Sequence, residues 1–284
     1  MIKFSARSIL PVVLFVLMLL AILINPRILV DVDNKYFNES IRQVYGKYVE
    51  GEDWSSVPVL PADMNYQWME SGGGQLRIGH ALGFASTPLA NELGALPLAR
   101  VSQLKVLEVD LWLAADGSIR CFHGPGDPGP LLNTTCTLER LVRATEAGGE
   151  YLVLDIKTDF DSTASKINAL LKTMPGQSRR LIYQLYRPGD VRTFASFPDY
   201  TRYAGPILTA YISRSSLNEL ARASKRANIR AFTVPMQRQS ALDRTLTSGI
   251  GLFVHPVHDC ADLHEAKERQ YGGIYVLASL RCQK

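Results

Sequence analysis

Cysteine and histidine are scarce in this chain, with four and five copies among 284 residues. None of the cysteines, Cys121, Cys136, Cys260 and Cys282, stands in the close C-x-x-C spacing of a zinc site, so a thiolate-held metal is not indicated. Blocks of like charge are also missing. The 31 Lys and Arg residues are scattered and nearly balanced by 27 Asp and Glu, for a net charge of +4. That pattern excludes the basic stripe of a nucleic-acid-binding protein. With 46% hydrophobic and 20% charged residues, the composition is that of a folded chain with one large domain or two small ones, not a disordered one.

Long hydrophobic runs are confined to one place. Ile9 to Leu23 carries no charge, follows Lys3 and Arg7, and is closed by Asn25, Pro26 and Arg27. Basic residues ahead of an apolar run hold that end in the cytoplasm, so the chain beyond the run is expected to be exported. The run is slightly shorter than the ~20 residues that span a bilayer comfortably, yet "LINPRILVDVD" behind it offers no small-x-small cleavage site. The expectation is an uncleaved N-terminal transmembrane anchor over residues 1–29, with a removed signal peptide as the alternative. Residues 30–74, with Pro58, Pro61 and the Ser71–Gly74 "SGGG" run, read as a tether, and 75–284 as the folded domain. Export permits disulfides. The sequence-local pairing joins Cys121 to Cys136 and Cys260 to Cys282, one of three arrangements the sequence leaves open.

From Gln75 onward, short apolar runs alternate with helical patterns. "LRIGHA", "VLEVDLWL", "YLVLDIKT", "RLIYQLY", "PILTAYI", "AFTVPM", "GLFVHPV" and "GIYVLAS" read as strands. Between most of them lie amphipathic stretches such as "TLERLVRATEAG" and "SLNELARASKRANI". Parallel neighbours require crossover connections, and a set of eight followed by helices predicts a closed (β/α)8 TIM barrel over a doubly wound open sheet. Barrel enzymes place their chemistry at the C-terminal ends of the strands.

Those ends carry charge. His80 closes the first run; Glu108 and Asp110, two apart on the second, share a face, as do Asp155 and Lys157 on the third. His123 ends a further extended run, "SIRCFHG". Three carboxylates and two imidazoles converging on adjacent strands are hard to account for as core, because burying an ionised carboxylate costs several kcal/mol unless a cation compensates. Oxygen ligands suit a hard divalent cation, Mg²⁺ or Ca²⁺, held by Glu108, Asp110 and Asp155. Lys157 then adds positive charge toward a phosphoryl group, and His80 and His123 serve as acid and base. His255 is placed at the barrel mouth, while His258 and His264 read as loop and helix-surface residues. Trp112 shares the face of Asp110 and either contacts substrate or fills the barrel.

The pattern Gly-His, then Glu-x-Asp followed by Asp-Gly and a strand ending in His, then a carboxylate-x-Lys, resembles the glycerophosphodiester phosphodiesterases and the wider phosphatidylinositol-phospholipase-C-like superfamily. The resemblance covers about Gln75 to Leu280 and extends to Gln184 in "LIYQLYRPGDV" and to "GLFVHPVHD". It implies a (β/α)8 barrel, catalysis by His80 and His123, metal ligation by Glu108, Asp110 and Asp155, and a phosphodiester or phospholipid-derived substrate. Lys157, Gln184, Trp112 and His255 are the expected substrate contacts, and the membrane is reached through the N-terminal segment. The departures are specific: Gly79-His80-Ala81 replaces His-Arg-Gly, Ala90-Asn91 replaces Glu-Asn, and Asp155-x-Lys157 replaces Glu-x-Lys. Gly-His, Asp-x-Lys-Thr and His-Gly also resemble the sphingomyelinase D branch, and a barrel that binds without turnover is the remaining alternative.

Overall fold

A computed structural model describes residues 52–71, 75–124, 135–174, 176–211, 215–280 and 282. The apolar run Ile9–Leu23 lies outside these residues, and among the described ones no helix is long and apolar enough to cross a membrane. Nine strands form one sheet: β1 (Leu76–Gly79), β2 (Val106–Leu113), β3 (Ile119–Cys121), β4 (Tyr151–Ile156), β5 (Leu181–Leu185), β6 (Ala204–Thr209), β7 (Ala231–Pro235), β8 (Gly251–Val257) and β9 (Gly273–Val276). All neighbours pair in parallel except β2 with β3, and β1 pairs with both β9 and β2. The eight parallel strands are therefore closed into a barrel, and β3 is an antiparallel extension of the overlong β2.

The crossovers carry helices α1 (Leu96–Val101), α2 (Leu138–Glu146), α3 (Phe160–Leu171), α4 (Pro188–Ser196), α5 (Leu217–Arg226) and α6 (Cys260–Glu268). Local sequence explains their limits and facing. Thr137, Asp159, Ser216 and Asp259 each cap the following helix by accepting a backbone N–H through the side chain. In α5, Leu217, Leu220, Ala221 and Ser224 are buried at the i, i+3, i+4, i+7 spacing that turns one stripe to the barrel. The connection after β7 departs from the expected helix and forms two 3₁₀ segments, Met236–Ala241 and Arg244–Thr247. Asp243 interrupts it by accepting the Thr245 N–H at 2.9 Å, a local bond that competes with a continuous helix.

Residues 52–71, assigned to the tether on sequence, instead close the bottom of the barrel. Trp54, Leu60, Met64, Tyr66 and Trp68 are all buried. Trp68 donates Nε1–H to the Gly205 carbonyl at 3.1 Å and packs its ring 5.4 Å from that of Phe253. Tyr66 lies so close to Gly205 that a Cβ there would fall 2.4 Å from its ring, which is why position 205 has no side chain. The physical cause is exposure: the N-terminal ends of β6, β7 and β8 present apolar interior that a separate segment must cover. Trp68→Ala is expected to cost about 3–5 kcal/mol, the range for truncating a buried aromatic. Denaturant unfolding measures it, and an unchanged midpoint would mean that this segment does not stabilise the barrel.

The two disulfides join Cys121 to Cys136 and Cys260 to Cys282, which selects the sequence-local pairing. The first ties the end of β3 to the start of α2, where the Cys121 N–H also bonds the Cys136 carbonyl at 3.1 Å.

Candidate active site

Registers decide which side chains enter the barrel mouth. Ile78 stands opposite Val106 and Tyr275, Asp110 opposite Asp155, and Val153 opposite Ile182. Side chains two further along each strand share their partners' face, so His80, Glu108, Asp110, Asp155, Gln184 and Tyr275 all point inward near the C-terminal ends. Their relative heights follow from strand pairing alone.

Glu108, Asp110 and Asp155 are buried, and one oxygen from each lies within 4.8 Å of the others. Lys157 Nζ sits between two of them, 2.9 Å from Asp110 Oδ1 and 2.7 Å from Asp155 Oδ2. Asn91 clasps Asp110 twice, donating Nδ2–H to Oδ2 at 2.7 Å and accepting the Asp110 backbone N–H at 3.0 Å. Glu108 Oε2 accepts the Ala81 N–H at 2.6 Å, while its Oε1 is buried with no hydrogen-bond partner among the described residues. The turn that delivers this N–H is strained. Ala81 and Leu82 hold φ of 49° and 59°, a left-handed conformation that costs a non-glycine residue about 1–2 kcal/mol and is characteristic of functional sites.

Charge explains the titration of the cluster. Burial, then the neighbouring Asp110 and Asp155 charges, push the Glu108 carboxyl well above its ordinary range. Burial acts the same way on Asp110, but Lys157, His123 and His80 outweigh it and hold that group near 2. Lys157 is raised in spite of burial by Asp110 and Asp155. One ammonium therefore faces three carboxylates, and the excess negative charge, the orphaned Glu108 oxygen and the all-oxygen donor set fit a hard divalent cation.

His80 lies partly buried at the end of β1, its imidazole lowered to about 4 by burial, against the pull of Asp110. His255, from β8, stands beside it with the two Nε2 atoms 3.3 Å apart. His123 is brought to the rim by the β2–β3 hairpin rather than into the buried cluster: it is exposed, yet close enough that its charge acts on both His80 and Asp110. The structure commits the Trp112 ring to that hairpin, edge to face with Phe122 at 5.9 Å and against Gly124. His258, in the loop just past the C-terminal end of β8, and His264, on α6, are both exposed, the latter paired with Glu268 at 3.1 Å along α6.

Two residues of the site escape a reading by charge alone. Asn91 enters through the loop after β1 with φ of 59°, and its only trace in sequence is the Ala90-Asn91 dipeptide. Tyr186, just past β5, accepts the Gln184 Nε2–H at 2.5 Å, and burial, then the neighbouring Asp155 charge, raises its hydroxyl well above the usual range. Asp190 holds the Tyr186 loop by accepting the Tyr186 and Arg187 N–H groups at 2.8 and 3.0 Å. Burial lifts Asp190 from 3.8 to about 6. An acid whose folded value exceeds its unfolded one stabilises most below the unfolded value, and that contribution is lost as pH rises through about 6. Asp190→Asn is accordingly expected to raise stability at pH 8 by up to about 3 kcal/mol and flatten the slope between about pH 4 and 6. Thermal unfolding across pH checks it; an unaltered slope would assign the dependence elsewhere.

No protein-family model matches the chain, and no curated protein is significantly similar to it in sequence. Solved structures do share its fold. A glycerophosphodiester phosphodiesterase from Parabacteroides distasonis superposes with a TM-score of 0.56 at 17% identity, covering 72% of this chain and 92% of that one. A second, from Thermotoga maritima, gives 0.53 at 17% identity, covering 72% and 95%. An Oleispira antarctica phosphodiesterase, solved in complex with the product sn-glycerol-3-phosphate, gives 0.55 at 16% identity, covering 73% and 94%. The chain is thus a (β/α)8 barrel with the architecture of the glycerophosphodiester phosphodiesterases, and it carries an acidic triad able to hold a metal ion at the mouth of that barrel.

Proposed function

We propose that this chain is a divalent-metal-dependent phosphodiesterase that hydrolyses a glycerophosphodiester or a phospholipid headgroup ester, exported and held to the membrane through Ile9–Leu23. The observation that carries the reading is the buried triad of Glu108, Asp110 and Asp155 with, among the described residues, one ammonium to balance it and no hydrogen-bond partner for Glu108 Oε1. Those three residues would hold Mg²⁺ or Ca²⁺. When bound, the ion supplies Lewis-acid stabilisation of charge on the phosphoryl oxygens.

The remaining steps belong to the side chains. Lys157, paired with Asp110 and Asp155, would add positive charge toward the phosphoryl oxygens, and Gln184 and Tyr186 stand at the end of β5 as further substrate contacts. His80, neutral at physiological pH because burial disfavours its charged form, removes the proton from the attacking hydroxyl as the new P–O bond forms. His123, exposed at the rim, donates a proton to the leaving alkoxide as the old bond breaks. Trp112, on the β2–β3 hairpin, and His255, on β8, are the remaining candidate substrate contacts. The product complex of the Oleispira antarctica phosphodiesterase supports a glycerol phosphate moiety in such a barrel.

The test is hydrolysis of bis(p-nitrophenyl) phosphate by the full chain with Mg²⁺ or Ca²⁺, followed by a glycerophosphodiester and phospholipid panel read by phosphorus NMR. Metal-dependent cleavage abolished by a chelator is expected. Cleavage confined to a sphingolipid headgroup would move the chain to the sphingomyelinase D-like reading, and binding of the panel without any cleavage would make it a non-catalytic barrel.

A further inference from the structure

His255 has no counterpart in the acid, base and metal roles of the proposed reaction, yet its ring nitrogen lies within hydrogen-bond reach of His80. Nε2 of His255 lies 3.3 Å from Nε2 of His80, and the two rings meet edge to face with centroids 4.5 Å apart. The far side of His255 is fixed by Tyr275 and Tyr211, whose ring centroids stand 4.9 and 5.8 Å away in the same perpendicular manner. A shared metal does not explain the approach, because among the described residues the one group of three ligating side chains is Glu108, Asp110 and Asp155.

Hydrogen-bond chemistry does. A neutral imidazole has one N–H and one bare nitrogen, and burial keeps both of these rings neutral at physiological pH. Two Nε2–H groups would collide at this separation and two lone pairs would repel, so one ring must donate and the other accept. If His255 donated, the single proton of His80 would sit on Nδ1 and its Nε2 lone pair would be consumed, leaving no basic nitrogen for substrate. Only the reverse direction leaves His80 competent as a base.

We propose that His255 is a positioning residue that accepts a hydrogen bond from His80 Nε2–H and so makes His80 Nδ1 the basic nitrogen. The role is the one an orienting group plays for a catalytic histidine generally: it selects a tautomer, fixes the ring, and stabilises the imidazolium formed when the base takes its proton. Tyr275 and Tyr211 hold the acceptor in place from behind. The choice of donor rests on His80 acting as the base.

Long-range ¹H–¹⁵N correlation on the full chain without added metal reads the tautomers directly and needs no activity. His80 is expected as the Nε2–H form and His255 as the Nδ1–H form; an Nδ1–H His80 would overturn the proposal even if the chain hydrolyses diesters. Kinetics supply the second arm. His255→Phe keeps the ring contacts with both tyrosines but removes the acceptor, and should lower kcat about 10–100-fold with KM nearly unchanged. His255→Gln, whose Oε1 can take the place of Nε2, should recover most of that loss. A kcat within twofold of the parent in the Phe variant, or a Gln variant no faster than Phe, would reduce His255 to packing. Should the Phe variant fail to fold, the tautomer and kcat of the Gln variant decide alone. If the parent chain cleaves no diester, the phosphodiesterase reading falls while the tautomer measurement still tests the histidine pair.

Discussion

Glu108→Gln, Asp110→Asn and Asp155→Asn are each expected to weaken divalent-cation binding by at least about tenfold, since each removes an anionic oxygen from the site. Their effects on the metal-free protein should diverge. Glu108 carries a charge that burial and two neighbouring carboxylates disfavour, and its Oε1 has no partner among the described residues. Neutralising it relieves repulsion, so Glu108→Gln should be more stable than the parent without metal at neutral pH. Asp110 and Asp155 instead grip Lys157 at 2.9 and 2.7 Å. Removing either takes one of the two direct ion-pair contacts from a part-buried ammonium, so both variants should be less stable than the parent without metal. Calorimetric titration with Mg²⁺ and Ca²⁺, and unfolding with and without chelator, separate the two quantities. Parent-like affinity in all three variants would remove the metal site.

His80→Ala and His123→Ala should each lower turnover by ~10²–10⁴-fold, the range for a positioned general acid or base, while leaving metal affinity nearly intact. Stability distinguishes them. His80 is enclosed by His255 and the turn after β1, so its loss should also lower the unfolding midpoint; His123 is exposed and its loss should not. The double variant should lose less than the product of the single losses, because a proton donor and acceptor serving one cycle do not contribute independently. Full activity of either single variant on a cleavable diester would withdraw that histidine from catalysis.

Eight strand segments, their parallel order and the barrel were legible because parallel strands covered on both faces read as short apolar runs between helical patterns. Their own residues also carry the caps and stripes that end and orient the helices. The alternation in "VLEVDLWL" and "YLVLDIKT" was enough to place Glu108, Asp110, Asp155 and Lys157 on one face, because side-chain direction in a strand is a local property of period two. What sequence could not supply was anything decided by strand register or by packing between distant segments. Residues 52–71 have the composition of a tether, and only the exposed bottom of β6, β7 and β8 turns Tyr66 and Trp68 into core. Asn91 and Tyr186 reach the carboxylates through loops, whose paths depend on strand ends far apart in the chain. The contact of His255 with His80, separated by 175 positions, exists because β1, β9 and β8 are neighbours once the barrel closes. Local chemistry is written in the order of residues, whereas proximity across the barrel is set by closure, which no segment of the sequence expresses by itself.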